Sequence, residues 1–267
     1  MPKLPTPPVP GPLKEPPPRP DEIEGTGHPV EHAKHGGVSI VDWVDERTSL
    51  SGAARWMMFR KVPKGTNWFY TFGSATMFAF LSQAVTGVFL AMYYRPDPAG
   101  GAYESIRYVT NDVFLGQFVR GMHKWGSSVM VILVFIHMGR TFFFGAYKYP
   151  RELNWVIGVV LLILTMVMSF TGYLLPFDQR AYWATIVGVN INATGPLIGP
   201  YLSDFLLGGA EFNATTLSRF YAIHMLILPG AIAALIGAHL YLVAKLGTTA
   251  PPWQKADIKE DLRETQV

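Results

Sequence analysis

"RGMHKWGSSVMVILVFIHMGR", residues 120–140, decides how the rest of the chain is read. The run is apolar enough to cross a bilayer, yet it carries two histidines, His123 and His137, fourteen residues apart. Arg120 stands before the first and Arg140 after the second. An ionisable side chain inside a membrane is costly and marks a functional site by default. The stretch therefore describes a spanning helix whose two imidazoles need a purpose.

The rest of the composition agrees with a membrane setting. The 267 residues are 49% hydrophobic and only 15% charged, and several apolar runs reach spanning length. A soluble fold is excluded. There is no cysteine, which removes disulfides, thiolate metal sites, iron–sulfur ligation and thioether attachment of a cofactor. The net charge of +3 is modest. Its basic residues cluster beside apolar runs, so membrane topology explains them and nucleic-acid binding does not.

Residues 1–38 are Pro-rich, a composition that favours extended, solvated chain. His28, His32 and His35 follow the prolines and read as part of a flexible tail, not a metal site. Residues 39–65, "SIVDWVDERTSLSGAARWMMFRKVPKG", mix Trp43, Trp56 and Phe59 with Arg55, Arg60 and Lys61. This pattern predicts an amphipathic helix in the headgroup layer. A four-helix domain over 66–247 follows: span A at 68–94, span B at about 114–144, span C at 155–175 and span D at about 217–246. Residues 248–267 form a C-terminal tail. Lys148 and Arg151 lie in the B–C loop, Arg55, Arg60, Lys61 and Lys64 precede span A, and Lys245 ends span D. The positive-inside rule places both termini and this loop on the cytoplasmic (n) side. The A–B and C–D connections then face the p side. The C–D connection, 176–216, is too long for a plain tether and is expected to lie on the membrane surface.

Span D repeats the pattern of span B with His224 and His239, fifteen residues apart. Spans B and D run parallel. A fourteen-residue step climbs about 21 Å and returns to within about 40° of its starting face; a fifteen-residue step climbs about 22 Å and ends about 60° away. His123 then faces His224 at one depth, and His137 faces His239 at another. A lone membrane histidine is more often a hydrogen-bonded interior residue or a proton relay. Two facing pairs at matched depths are bis-imidazole axial ligand sets for two stacked haems, held as bundle cores hold cofactors. Gly73 and Gly87 in span A, and Gly158 and Gly172 in span C, repeat the fourteen-residue step. They would let a flat macrocycle approach the backbone, where small-residue helix packing is the plainer alternative. Arg120, Lys124 and Arg219 near the p-side layer, and Arg140 near the n-side layer, are placed to meet haem propionates or to act as interfacial anchors.

The motifs "RGMHKW" (120–125), "KYPRELNWVIGVV" (148–160), "TGYLLPFDQRAYWA" (171–184) and "SRFYAIHMLILP" (218–229) resemble the cytochrome b family of quinol–cytochrome c oxidoreductases, specifically its short cytochrome b6 type. The resemblance runs from "VDWVDER" (41–47) to about Lys245. It implies two non-covalent b haems, the p-side one on His123 and His224 and the n-side one on His137 and His239. It implies a quinol-oxidation pocket at Tyr173, Trp183, Ala184 and Val187, and it puts Trp155 near the n-side haem. Two departures matter. Thr71 stands where cytochrome b6 has the cysteine that tethers a third haem, which argues against a covalent third haem. The family's later spans, with their Pro-Glu-Trp-Tyr segment, are absent, so a separate subunit is expected to supply them.

The resulting expectation is an all-α integral membrane protein: a four-transmembrane-helix bundle holding two stacked haems, in a bacterial cytoplasmic membrane. It would be the cytochrome b subunit of a quinol:cytochrome c or plastocyanin oxidoreductase, an enzyme subunit not active alone. Quinol is oxidised at the p side and quinone reduced at the n side, with net proton translocation. The expected partners are a Rieske iron–sulfur protein, a c-type cytochrome and a second copy of the complex. Two alternatives compete: a dihaem anchor of a hydrogenase or formate dehydrogenase, and a non-redox proton-coupled transporter. "LPFDQRAYWA" (175–184) speaks against the first. The second usually brings internal repeats and broken helices, whereas only Pro229 interrupts a helix here.

Overall fold

A computed structural model describes residues 40–48, 52, 63–209 and 211–254. The Pro-rich extension with His28, His32 and His35, and most of the expected interfacial helix, lie outside these residues. Within that stretch the structure describes α1, Ile40–Thr48, where the Arg47 guanidinium lies 4.2 Å from the Trp43 ring centre, and a turn at residues 63–65. Residues 1–60 and 61–267 form separate units.

The second unit consists of helices joined by turns and loops, with no strand among its described residues. Its helices are α2 (Phe72–Ala91), α3 (Gly101–Asn111), α4 (Gly116–Phe143), α5 (Glu152–Leu174), α6 (Gln179–Ala193), α7 (Gly199–Leu207), α8 (Ala214–Ala222) and α9 (Leu228–Leu246). Four helical segments are long and apolar enough to span a membrane: Trp68–Ala91, Gly116–Phe143, Glu152–Leu174 and Ala214–Leu246. They are spans A to D, within a few residues of the expected limits. Span A opens with a 3₁₀ turn, Trp68–Thr71, capped by the Asn67 side chain accepting the Phe69 N–H at 3.1 Å. Span D is α8 and α9 joined by a π turn, Ile223–Ile227.

Span B packs chiefly along span A, and span D along span C. The outer faces are bare apolar surface, with Phe78, Val85 and Leu226 among the exposed side chains, as a lipid-facing bundle requires. Single buried side chains lie within the spans, Met130 and Ile232 among them, and the main buried apolar cluster lies elsewhere. It gathers at the end that carries His123 and His224, from Ala102, Leu174, Val189, Leu206, Leu217 and Phe220. There the C–D connection is two helices, α6 and α7. Span C stops at Leu174, the chain turns through Phe177 at φ 51°, and Asp178 caps α6 by accepting the Ala181 N–H at 2.8 Å. A Pro-broken helix end followed by an amphipathic segment is therefore what forms: Ala181, Thr185 and Val189 point inward, while Trp183, Ala184 and Val187 point out.

At the opposite end, residues 248–254 of the expected C-terminal tail pack against the bundle. The Tyr70 hydroxyl donates to the Thr249 carbonyl at 2.9 Å, Arg151 donates to the Leu246 and Gly247 carbonyls, and Trp253 meets the Phe144 ring edge-on.

One buried hydroxyl ties the C–D connection to span D. Thr216 is fully buried; it donates to the Leu207 carbonyl at 2.6 Å and accepts the Asn213 N–H at 3.0 Å, completing a capping box. Thr216→Val leaves both groups unpaired and should cost about 2–3 kcal/mol. Thermal unfolding of the purified protein should show a clear loss for Thr216→Val and near-normal stability for Thr216→Ser.

Candidate functional site: two facing histidine pairs

Span B and span D meet across the bundle through their histidines. The His123 and His224 ring centroids lie 6.5 Å apart with planes at 77°. The His137 and His239 centroids lie 6.4 Å apart, also at 77°. A metal bound between two imidazoles by bonds of about 2.0–2.1 Å places the ring centres about 6.3 Å apart. Each pair therefore has the separation that one axially coordinated metal requires, and imidazole is a normal axial ligand of haem iron.

Hydrogen bonds fix the tautomer in the first pair. The Thr86 hydroxyl gives its one proton to the Ser82 carbonyl at 2.7 Å, so its oxygen accepts from His123 Nδ1 at 2.9 Å. His224 Nδ1 lies 3.1 Å from the Met168 carbonyl, which can only accept, and 3.2 Å from Thr171 Oγ1. Both Nδ1 atoms thus carry the proton, and both Nε2 atoms keep a lone pair for a metal. In the second pair His239 Nδ1 is buried without a hydrogen-bond partner among the described residues.

The four glycines at fourteen-residue steps all lie against these rings. A Cβ at Gly73 would stand 3.1 Å from His137 Cε1, one at Gly87 3.2 Å from His123 Cε1, one at Gly172 2.5 Å from His224 Cε1, and one at Gly158 3.7 Å from His239 Cε1. Each glycine gives an imidazole of a neighbouring span the room it occupies.

Sequence reasoning passed over the residues that hold the rings. Thr86, Thr171 and the Met168 carbonyl orient them, and Gln83 holds the backbone. Oriented as its partners demand, the Gln83 amide donates to the His123 carbonyl at 2.9 Å and accepts the Ser127 N–H at 3.3 Å. A side chain at Gly126 would collide with that amide. The available signal was polarity: Gln83 and Thr86 are polar residues in an apolar span, one turn or less from Gly87.

The cationic residues are placed unequally. Arg120 donates to Thr110 Oγ1 at 3.1 Å. Arg219 donates to the Phe205 carbonyl and so closes the end of α7. Lys124 Nζ lies 5.8 Å from the Trp125 ring centre. The Arg140 guanidinium carbon lies over Tyr70, 3.9 Å from the ring centre, with its buried Nε lacking a hydrogen-bond partner among the described residues. Trp155 packs on Tyr147 with centroids 5.5 Å apart. Tyr173, Trp183, Ala184 and Val187 are exposed at the dry-core end; Trp183 Nε1 donates to Gln179 Oε1 at 3.1 Å. Thr71 spends its hydroxyl on the Trp68 carbonyl at 2.7 Å, inside its own turn.

The glycine distances predict a sharp contrast. Gly172→Ala should displace the His224 ring, because 2.5 Å is far inside contact distance, whereas Gly158→Ala adds an ordinary contact at 3.7 Å. Visible absorption of the purified protein should show a reduced or shifted haem band for Gly172→Ala and a normal one for Gly158→Ala.

Comparison with known proteins completes the picture. The cytochrome b/b6/petB family model matches residues 57–247. The chain is 43% identical over 220 residues to the menaquinol:cytochrome c reductase cytochrome b subunit of Geobacillus thermodenitrificans, covering 79% of this chain and 98% of that one. It is 42% identical over 213 residues to cytochrome b6 of Heliobacterium modesticaldum, covering 79% of this chain and all of that one. Among solved structures it resembles a chain of a hyperthermophilic respiratory Complex III with a TM-score of 0.72 and 32% identity; the match covers 79% of this chain and 56% of that longer one. A bundle with two facing histidine pairs, four helical spans and this degree of likeness places the chain in the cytochrome b family.

Proposed function

We propose that the chain is the haem-bearing subunit of a quinol:cytochrome c or plastocyanin oxidoreductase, taking electrons from quinol at the p side and delivering them to quinone at the n side. Membership of the cytochrome b family means that it binds haem b and serves electron transfer in a membrane oxidoreductase. The observation that carries the fuller reading is the repetition of one ligand geometry, 6.5 and 6.4 Å with planes at 77°, at two depths. Two b haems held there would supply a pair of one-electron carriers stacked across the membrane, each tuned by its surroundings.

The chain's own residues do the rest. His123 and His224 are the p-side ligands, and His137 and His239 the n-side ligands. Thr86, the Met168 carbonyl and Thr171 hold the p-side Nδ1 protons, which keeps Nε2 directed at the metal and raises its basicity. Arg140, with its partnerless Nε, is placed to meet a propionate at the n side; Arg120 and Lys124 stand on the p side. Arg219 is already committed to the Phe205 carbonyl and holds the frame of that end. Gly73, Gly87, Gly158 and Gly172 admit the rings, and Trp155, packed on Tyr147, is assigned to the surroundings of the n-side haem. The hydroxyl of Thr71 cannot form a thioether, so a covalent third haem has no anchor there.

Tyr173 and the outward face of α6, with Trp183, Ala184 and Val187, supply one wall of the quinol-oxidation pocket. That wall is bare apolar surface in the isolated chain, which suits completion by a further subunit bearing the Pro-Glu-Trp-Tyr segment. A Rieske protein, a c-type cytochrome and a second copy of the complex complete the assembly. Lys148, Arg151 and Lys245 lie at the end that holds His137 and His239. They favour the cytoplasmic side of a bacterial membrane for that end and for both termini.

The assembled protein should contain two b haems per chain with separable redox titrations. His224→Leu should remove the p-side component and leave the other, and His239→Leu the reverse. One haem or none in the assembled wild type would refute the reading.

A further inference from the structure

The two storeys share one geometry although their spans differ by a residue. His123 and His137 are fourteen apart, His224 and His239 fifteen. In an unbroken α-helix the extra residue turns one histidine by about 100° relative to the other and lifts it by about 1.5 Å. Such a rotation would aim either His224 or His239 away from its partner. Instead the centroid separations are 6.5 and 6.4 Å and both interplanar angles are 77°.

The discrepancy is absorbed at Ile223–Ile227. Here the Leu228 N–H donates to the Ile223 carbonyl, five residues back, in place of the carbonyl four back. A π turn of this kind takes in one residue more than an α turn. Pro229 comes next and has no N–H, so the Met225 carbonyl cannot receive its α-helical bond from that position. The residues around the turn divide cleanly. His224 and Leu228 are buried, while Leu226 is 75% and Ile227 56% exposed. The surplus residue therefore bulges away from the bundle interior.

We infer that the π turn is a register device for the p-side ligand. It consumes the fifteenth residue, so that His224 lands at the depth and on the face that His123 requires, and Pro229 is a positioning residue that disfavours the competing α-helical register. Met168 and Thr171 then receive His224 Nδ1 because the ring arrives on their face. The inference rests on the ligand roles proposed above and adds that span D tolerates either ligand step, whereas span B, a continuous α-helix from Gly116 to Phe143, does not.

Single-residue deletions in the purified full complex, followed by redox titration of the b-haem absorbance, test this. Deleting Leu226 removes an exposed residue and should let the turn close to α-helix, with two titrating components per chain retained. Deleting Ile132, also exposed and lying between the histidines of span B, should lose at least one component. Loss of a component on deleting Leu226, failed assembly of that variant, or retention of both on deleting Ile132 would overturn the inference. Pro229→Ala keeps the length and restores the N–H; it should displace the p-side titration and leave the n-side one unmoved, and a wild-type titration of both would remove Pro229 from the account. Wild-type protein without two haems would refute the ligand assignment itself, whereas two haems with the wrong deletion pattern would refute only the register device.

Discussion

Two imidazole pairs, each held with a ring separation near 6.5 Å, are the constraint around which the bundle is arranged. Spans A and B pack as one pair and spans C and D as another. The histidines of B and D face each other across the space between them. The glycines of A and C are set back: a Cβ on any of three of them would crowd the ring it faces. Helix pairing, glycine placement and histidine depth are thus one geometric condition seen from three sides.

The condition has an energetic consequence. Buried side chains occur within the spans, Ala79, Met130 and Ile232 among them. The main buried apolar cluster lies at one end, where α3, α6, α7 and the ends of spans C and D meet around Leu174, Leu217 and Phe220. Polar hold-points add to packing within the bundle: Gln83 on the backbone of span B, and Thr86 and Thr171 on ring nitrogens. A ligand that binds only the folded chain adds its binding free energy to stability, so occupancy and folding of the middle layer are coupled.

Much of this was legible in the sequence, because its periodicities are long. The four spans, the two histidine pairs and the matching glycines follow from apolar length and a repeated fourteen-residue step. The sequence did not show what each glycine touches, since spacing along a helix says nothing about the partner opposite. It also left span D's fifteen-residue step as a misalignment of about 60°; the π turn at Ile223–Ile227 depends on one backbone bond, from Leu228 to Ile223, and Pro229 is its one trace in the sequence. Arg219 reaches the Phe205 carbonyl at the end of α7, a partner fourteen residues away that its neighbours in sequence do not name. The C-terminal residues looked like a tail because Thr249, Pro251 and Trp253 find their partners, Tyr70 and Phe144 among them, far away in sequence.

One haem iron held by each histidine pair would have nearly perpendicular axial rings. Electron paramagnetic resonance of the oxidised, assembled protein reads this directly, since the relative orientation of two axial imidazoles sets the anisotropy of a low-spin ferric signal. The 77° angle in both pairs predicts two strongly anisotropic low-spin species and no high-spin haem. A high-spin signal, or a single low-spin species of the kind given by parallel rings, would contradict the account.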